Sequence, residues 1–135
     1  MPEYQVPEDC FYTKDHEWVR PAGEIAVMGV TDYAQKTLGE IVFVETPSVE
    51  SSVNQGDSCG YVESPKAVSD IYAPVSGVVL EANAALAEHP EWINQAPYGD
   101  GWLAKITLAD ATELDSLMKS EAYRELLVSL AEEEE

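Results

Sequence analysis

From Gly39 to about Leu108 the chain is interrupted every few residues by glycine, proline, asparagine or aspartate, and its apolar residues fall in short runs between these breaks. Ile41-Val42-Phe43-Val44 and Gly77-Val78-Val79-Leu80 are two such runs. Short apolar runs bounded by turn formers read as strands, so this stretch is constrained to an all-β unit. Ala84-Ala85-Leu86-Ala87 is the exception: it is helix-prone, leads into His89-Pro90, and predicts a short helix inserted between strands. A faint duplication runs through the unit. Gly39-Glu40-Ile41-Val42 followed by Gly56-Asp57 is echoed by Gly77-Val78-Val79-Leu80 followed by Gly99-Asp100, with the inserted helix lengthening the second copy. Two similar β halves folded on each other predict a sandwich or flattened barrel with few exposed edges.

The flanking segments read differently. Phe11-Tyr12-Thr13 and Glu17-Trp18-Val19-Arg20 predict short strands, Pro21-Ala22-Gly23 a turn, and Glu24 to Val30 the returning strand. Thr31 can cap a short helix through Leu38, which Gly39 would end. Near the C-terminus, Asp110-Ala111-Thr112-Glu113 resembles a capping box, after which Leu114, Leu117 and Met118 share a helical face. Ser120 could cap a second helix whose Tyr123, Leu126, Leu127 and Leu130 follow helical spacing, and one kinked helix would give the same pattern. The stripe is expected to pack on the β unit. The whole therefore reads as one domain over 1–135, with a core at 11–108, a helical segment at 110–131 and an acidic, solvated tail at 132–135.

Size and charge narrow the function. A chain of 135 residues can bury a core without disulfide or metal staples. The formal charge is −19, with five lysines and two arginines. Such a field repels phosphate backbones and anionic lipid, so nucleic-acid and membrane-surface roles are not expected. No apolar run approaches the roughly 20 residues of a membrane span, and the first ten residues lack a secretion signal or an arginine-rich transit peptide. A cytoplasmic, monomeric protein is expected. Cys10 and Cys59 form no CxxC motif or Cys/His cluster and read as reduced thiols, with a pairing between them left open to geometry.

One lysine stands out. Tyr61-Val62 and Val68 to Tyr72 look like strands flanking Ser64-Pro65-Lys66-Ala67. Proline at the second position of a β-turn pre-sets φ and leaves Lys66 at the third, on a hairpin tip with its side chain outward. Lys66 is also the only basic residue between Lys36 and Lys105. Catalytic lysine chemistry through a Schiff base needs an amine whose pKa is lowered, by burial or by neighbouring cations. Here the near charges are the carboxylates Glu63 and Asp70 and the tip is solvated, so that chemistry is not expected. An acylating enzyme, by contrast, needs an amine that projects clear of the domain in a fixed pose.

The segment Glu63-Ser64-Pro65-Lys66-Ala67-Val68-Ser69-Asp70-Ile71-Tyr72-Ala73-Pro74-Val75-Ser76-Gly77 resembles the lipoylation site of the glycine-cleavage H protein family. The resemblance extends to Lys14-Asp15-His16-Glu17-Trp18-Val19 and to Thr31 through Gly39. It also takes in Asn94 through Pro97-Tyr98 to Gly101-Trp102-Leu103, and Glu113 to Met118 followed by Glu121-Ala122-Tyr123, so that it spans about residues 11 to 130 in the family's order. It implies a mainly β fold, a lipoyl/biotinyl-type sandwich (barrel-sandwich hybrid) with short inserted helices and a C-terminal helical segment. It implies lipoic acid in amide linkage to Lys66, with Glu63, Ser64, Pro65, Ala67 and Asp70 helping lipoylating enzymes recognise the turn. It implies a non-catalytic carrier. Such a carrier takes the aminomethyl group from a pyridoxal-phosphate glycine decarboxylase to a tetrahydrofolate-dependent aminomethyltransferase, and passes electrons to the FAD enzyme dihydrolipoyl dehydrogenase. Two departures are visible: Pro65 stands where the family commonly has valine, and Glu50 and Ser51 where it usually has glycine.

Other readings are weaker. An H-like lipoyl carrier could serve sulfur oxidation or lipoyl relay. Biotin sites typically place methionine on both sides of the lysine, whereas here the neighbours are Pro65 and Ala67. An unmodified acidic adaptor for basic partners is a third class. His16 is expected as a strand-end histidine bonded to backbone, with an approach to a folded-back arm as the alternative, and His89 as a loop residue. Trp18, Trp92 and Trp102 are expected in the core. No ligand spacing, phosphate loop or nucleophile elbow is present, so neither a metal site nor catalysis is expected.

Overall fold

The computed structural model describes residues 4–133, so residues 134 and 135 of the acidic run lie outside it. Strands β1 (Phe11–Tyr12), β2 (Glu17–Ala22) and β3 (Ile25–Val30) form an antiparallel meander. The turn joining β2 to β3 is Gly23-Glu24, with Gly23 at φ 67°, rather than Pro21-Ala22-Gly23. Pro21 sits in β2 opposite Ala26. A two-residue hairpin closes on a hydrogen-bonded pair, here Ala22 and Ile25, so the next pair points its N–H positions away from each other. Because β1 covers only Trp18 and Val19 of β2, the proline's missing N–H falls on a free edge.

Helix α1 (Asp32–Leu38) follows as expected. The Thr31 hydroxyl accepts the Ala34 N–H at 3.2 Å, and Gly39 ends the helix at φ 83°. Strands β4 (Phe43–Glu45), β5 (Ser52–Val53), β6 (Ser58–Glu63), β7 (Val68–Tyr72), β8 (Gly77–Ala82) and β9 (Ala104–Thr107) complete two sheets, ordered β1-β2-β3-β9-β8-β5 and β4-β6-β7. Strand β5, from the first of the duplicated segments, pairs with β8 from the second, so the two segments share the larger sheet. Met28, Ile41, Val62, Ile71, Val79 and Ile106 belong to one buried cluster that joins residues of both sheets. At Gly77 a Cβ would overlap the Thr107 carbonyl oxygen, so β8 can approach the end of β9 only without a side chain there.

Between β8 and β9 lie the expected helical insert, realised as a 3-10 turn over Ala84–Ala87, and a short helix α2 (Trp92–Gln95) that the sequence did not announce. Trp18 is fully buried in a second cluster with Val6, Cys10, Tyr12, Tyr123 and Leu127, and its indole N–H donates to Pro97 O at 3.0 Å. Trp92 packs at the margin of the first cluster and Trp102 at that of the second. Cys10 and Cys59 are both free thiols. Burial pushes the Cys10 thiol up to about 11 and the Cys59 thiol up to about 12.

The C-terminal segment departs from expectation in its first half. Asp110 does cap, accepting the Thr112 N–H at 3.0 Å, but the piece is a 3-10 turn over Ala111–Ser116. Glu113 does not return to Asp110. Its carboxylate instead accepts from Ser76 N and Ser76 Oγ, each at 2.7 Å, because two donors on the β unit satisfy it better than one solvated N–H. Leu117 and Met118 leave the helix, and Met118 forms a β-bridge with Tyr12. Helix α3 (Ser120–Glu133) is thus a separate element, with Ser120 its first residue rather than its cap. Tyr123 stacks on Tyr12 with ring centroids 4.5 Å apart, and Leu127 is buried beside it, so the stripe packs on the β unit as expected.

Thr31 links these parts, since its hydroxyl caps α1 and lies 2.7 Å from the Tyr123 hydroxyl. Thr31→Ala is expected to lower stability by about 1–2 kcal/mol through loss of the cap and of one buried partner. Urea unfolding measures it, and an unchanged midpoint would mean that α1 is not anchored there.

Candidate functional site

The β6–β7 register places each side chain around the turn. Tyr61 faces Asp70, Val62 faces Ser69, and Glu63 faces Val68. Val62 and Ile71 are buried, so by strand alternation Tyr61, Glu63, Val68 and Asp70 share the outward face. Beyond the Glu63–Val68 pair, Ser64 N–H donates to Ala67 O at 2.8 Å. The Ser64 hydroxyl accepts from Lys66 N at 3.3 Å and Ala67 N at 3.2 Å. Ser64 is itself buried, and Pro65 restricts φ at the next position. The turn is therefore held from within by a side chain and from the backbone by a ring.

Pro65, Lys66, Ala67 and Val68 are all exposed. The Lys66 ammonium donates to Thr37 O at 3.0 Å, in the last turn of α1. Carbonyls there have no partner within the helix and form its negative end. Among the described residues no carboxylate pairs with Lys66. The turn fits an amide-linked acyl group: an acylated Nζ keeps one N–H, loses a charge that no carboxylate needs, and meets open solvent. Of the residues singled out from the sequence, Ser64, Pro65 and Ala67 build the turn. Glu63 adjoins it and takes the Val42 N–H on its backbone carbonyl at 2.8 Å, while Asp70 lies further down the outward face.

A second feature was not singled out in the sequence. At the far end of β7, Glu17 is 2 % exposed. Its carboxylate accepts from the Thr13 hydroxyl and, at 3.1 Å, from Tyr72 N–H. Burial raises its pKa from 4.5 to about 7, against the lowering effect of those two hydrogen bonds. Glu17 borders a cavity of about 380 Å³ whose walls include Tyr12, Gln55, Tyr72, Pro74 and Met118. A glutamate opening a strand beside Trp18 and Val19 carries no sequence sign that it points inward.

The histidines lie elsewhere. His16 has φ 71°, and its ring bonds the Tyr123 hydroxyl at 2.8 Å rather than backbone. Burial lowers its pKa, outweighing the raising effect of Asp15. His89 stacks on Trp92 and lies 3.1 Å from the Glu91 carboxylate. Among the described residues no group of three or more His, Cys, Asp or Glu could hold a metal ion, and no helix is long and apolar enough to cross a membrane.

A single amine held out on a rigid hairpin of a two-sheet scaffold is the arrangement of a carrier domain for a covalently attached group. Residues 10–130 match the family described as Glycine cleavage H-protein. The glycine cleavage system H protein of Halothermothrix orenii is 57% identical over 122 residues, covering 90% of this chain and 95% of that protein. That of Thermus thermophilus is 48% identical over 126 residues, covering 93% and 98%. The crystal structure of the H protein from Mycobacterium marinum superposes with a TM-score of 0.76 at 38% identity, covering 87% of this chain and 95% of that one. The chain belongs to the glycine cleavage H-protein family. Its fold is of the lipoyl type. Its role is that of a non-catalytic lipoyl carrier in glycine cleavage, working with the other components of that system, and the family bears its lipoate on a lysine.

The buried carboxyl gives a prediction with a definite sign. A folded-state pKa above the unfolded value means that Glu17 contributes its full stability below pH 4.5 and loses it as pH rises through about 7. Glu17→Gln removes the titration; its amide oxygen can still accept the Tyr72 N–H while its NH2 turns to the Thr13 hydroxyl as donor, so the variant should gain on the parent protein between pH 5 and pH 8, by on the order of 2–3 kcal/mol. Unfolding curves at both pH values test this; parallel pH profiles for the two proteins would show that the carboxyl is not desolvated.

Proposed function

We propose that Lys66 is the residue that carries the lipoyl group. The observation that supports it best is the exposed Lys66 amine, at the tip of a turn that Ser64 and Pro65 hold rigid. Lipoate bound there supplies a disulfide that accepts a one-carbon unit and two electrons. The chain's own residues do the rest. Ser64 and the Ser64–Ala67 backbone bond fix where the arm is rooted. The exposure of Pro65, Ala67 and Val68 leaves its root unobstructed. Lysine plus lipoyl spans about 14 Å by standard bond lengths, so the reactive end can enter a partner's active site while the domain remains at its surface.

In this reading the partners are glycine decarboxylase, the tetrahydrofolate-dependent aminomethyltransferase, dihydrolipoyl dehydrogenase and the enzymes that attach lipoate, all in the cytoplasm. Glu63, Ser64, Pro65, Ala67 and Asp70 serve recognition by the attaching enzymes, Ser64 by shaping the turn and the others by direct presentation. Pro65 in place of the family's common valine is compatible with this role, since φ near −65° is what the second position of a type I or II turn requires.

Tryptic mapping of the protein from its native source tests the reading. Trypsin should cut after Lys36, Lys66 and Lys105, with no arginine between them. Lipoylation of Lys66 is expected to block the middle cut and to yield one Thr37–Lys105 peptide carrying the lipoyl mass. A complete cut after Lys66, from cells able to lipoylate, would sink it. Lys66→Arg is expected to abolish carrier activity while leaving the unfolding midpoint within about 0.5 kcal/mol of the parent; an acidic adaptor would keep its binding unchanged.

A further inference from the structure

The outward face of the β4-β6-β7 sheet carries a patch of which the carrier reading uses only the edge nearest the turn and Asp70, leaving Phe43, Glu45 and Tyr61 without a role. Phe43 faces Glu63 on one side, and Val68 faces Glu63 on the other, so all three lie one pair from the turn. Glu45 faces Tyr61, which faces Asp70, and forms the next row. Phe43 is 47% exposed and Val68 61%, and the Phe43 and Tyr61 rings lie 5.7 Å apart. Three carboxylates alternate with these three apolar side chains. None of Glu45, Glu63 and Asp70 is in an ion pair among the described residues, and no basic residue lies on these three strands. An aromatic and aliphatic centre edged by unpaired charges of one sign is the composition of a binding surface for a partner of the opposite sign.

Distance decides which partner. An enzyme acting on the far end of the arm can keep its active site about 14 Å from the root of Lys66, whereas one acting on Nζ itself works at only about 6 Å. It must sit on the turn and on whatever adjoins it. We propose that this face, centred on Phe43 and Val68, is the docking surface of the enzyme that attaches lipoate, which meets it with apolar side chains rimmed by lysine or arginine. The proposal rests on the assignment of Lys66 and extends recognition from the turn to the sheet behind it. In the reaction concerned, ATP converts the lipoate carboxylate to an acyl adenylate and releases pyrophosphate. The Lys66 ammonium first gives up one proton to free its lone pair; Nζ then attacks the acyl carbon, the C–N amide bond forms, the acyl–phosphate bond breaks, AMP leaves, and Nζ sheds a second proton.

The test uses the full-length unmodified chain with lipoate, ATP, Mg²⁺ and a lipoate-attaching ligase, and follows the mass of the Lys66 peptide. Phe43→Ser combined with Val68→Ser is expected to lower kcat/KM for attachment by about tenfold or more. Glu45→Lys combined with Asp70→Lys should do likewise, and the parent rate should fall as salt rises. Val78→Ser with Leu80→Ser, exposed at 39% and 46% on β8, should leave it unchanged. The charge reversals lie wholly at the surface, so a loss there with an unchanged urea midpoint separates docking from misfolding. Lipoylation of the parent at some other residue overturns the assignment of Lys66 and this proposal with it. Attachment at Lys66 with unaltered kcat/KM in both face variants overturns the proposal alone. So does unaltered attachment accompanied by slower turnover of the complete glycine-cleaving system, which would give the face to a partner of the cycle.

Discussion

Most of this molecule's geometry follows from the register of β6 against β7. Val62 and Ile71 have to enter the same apolar core, and a slip of one residue would expose them and bury Glu63 and Asp70 instead. Because burying unpaired carboxylates is far more costly than burying valine, the register has one solution. That solution puts Ser64 at the rim of the core, where its hydroxyl takes the two N–H groups of the turn, and leaves Lys66 with no option but the tip. The pose of the lysine is thus set by the apolar core at some distance from it, through the backbone of two strands.

The same economy governs the pairing between halves. Strand β5 of the first segment leaves its neighbours to pair with β8 of the second. The β6–β7 hairpin rests on the core cluster through Val62 and Ile71, which holds the turn at its end in place. Helix α1 adds to this from the side. Thr31 and Tyr123 tie its start to α3, and the carbonyl of Thr37 near its end meets the Lys66 ammonium.

Electrostatics divides the surface into places where charge is tolerated and one where it is not. Most of the acidic residues are exposed, where water solvates their charge. Glu17 is different, with two hydrogen bonds that offset only part of its desolvation. Glu113 shows the intermediate case, in which a carboxylate joins two elements by taking both donors of Ser76.

What the sequence determined alone were features whose causes are local. The Thr31 cap and Gly39 stop of α1, the Ser64-Pro65-Lys66-Ala67 turn and the strand character of short apolar runs all depend on φ preferences and on side chains within four residues. The resemblance carried by separate ordered motifs added the family. The tertiary structure decided what depends on distant partners. Pro21 continues a strand because β1 is too short to cover it. Glu113 abandons its cap because Ser76 is brought close, and Glu17 is buried because β2 and β7 converge on it. The apolar and acidic face beside Lys66 exists only once β4 and β7 flank β6, since Phe43 and Val68 are 25 residues apart in the chain. Local chemistry is written in neighbouring residues, whereas burial and juxtaposition come from long-range pairing, which a single sequence does not display.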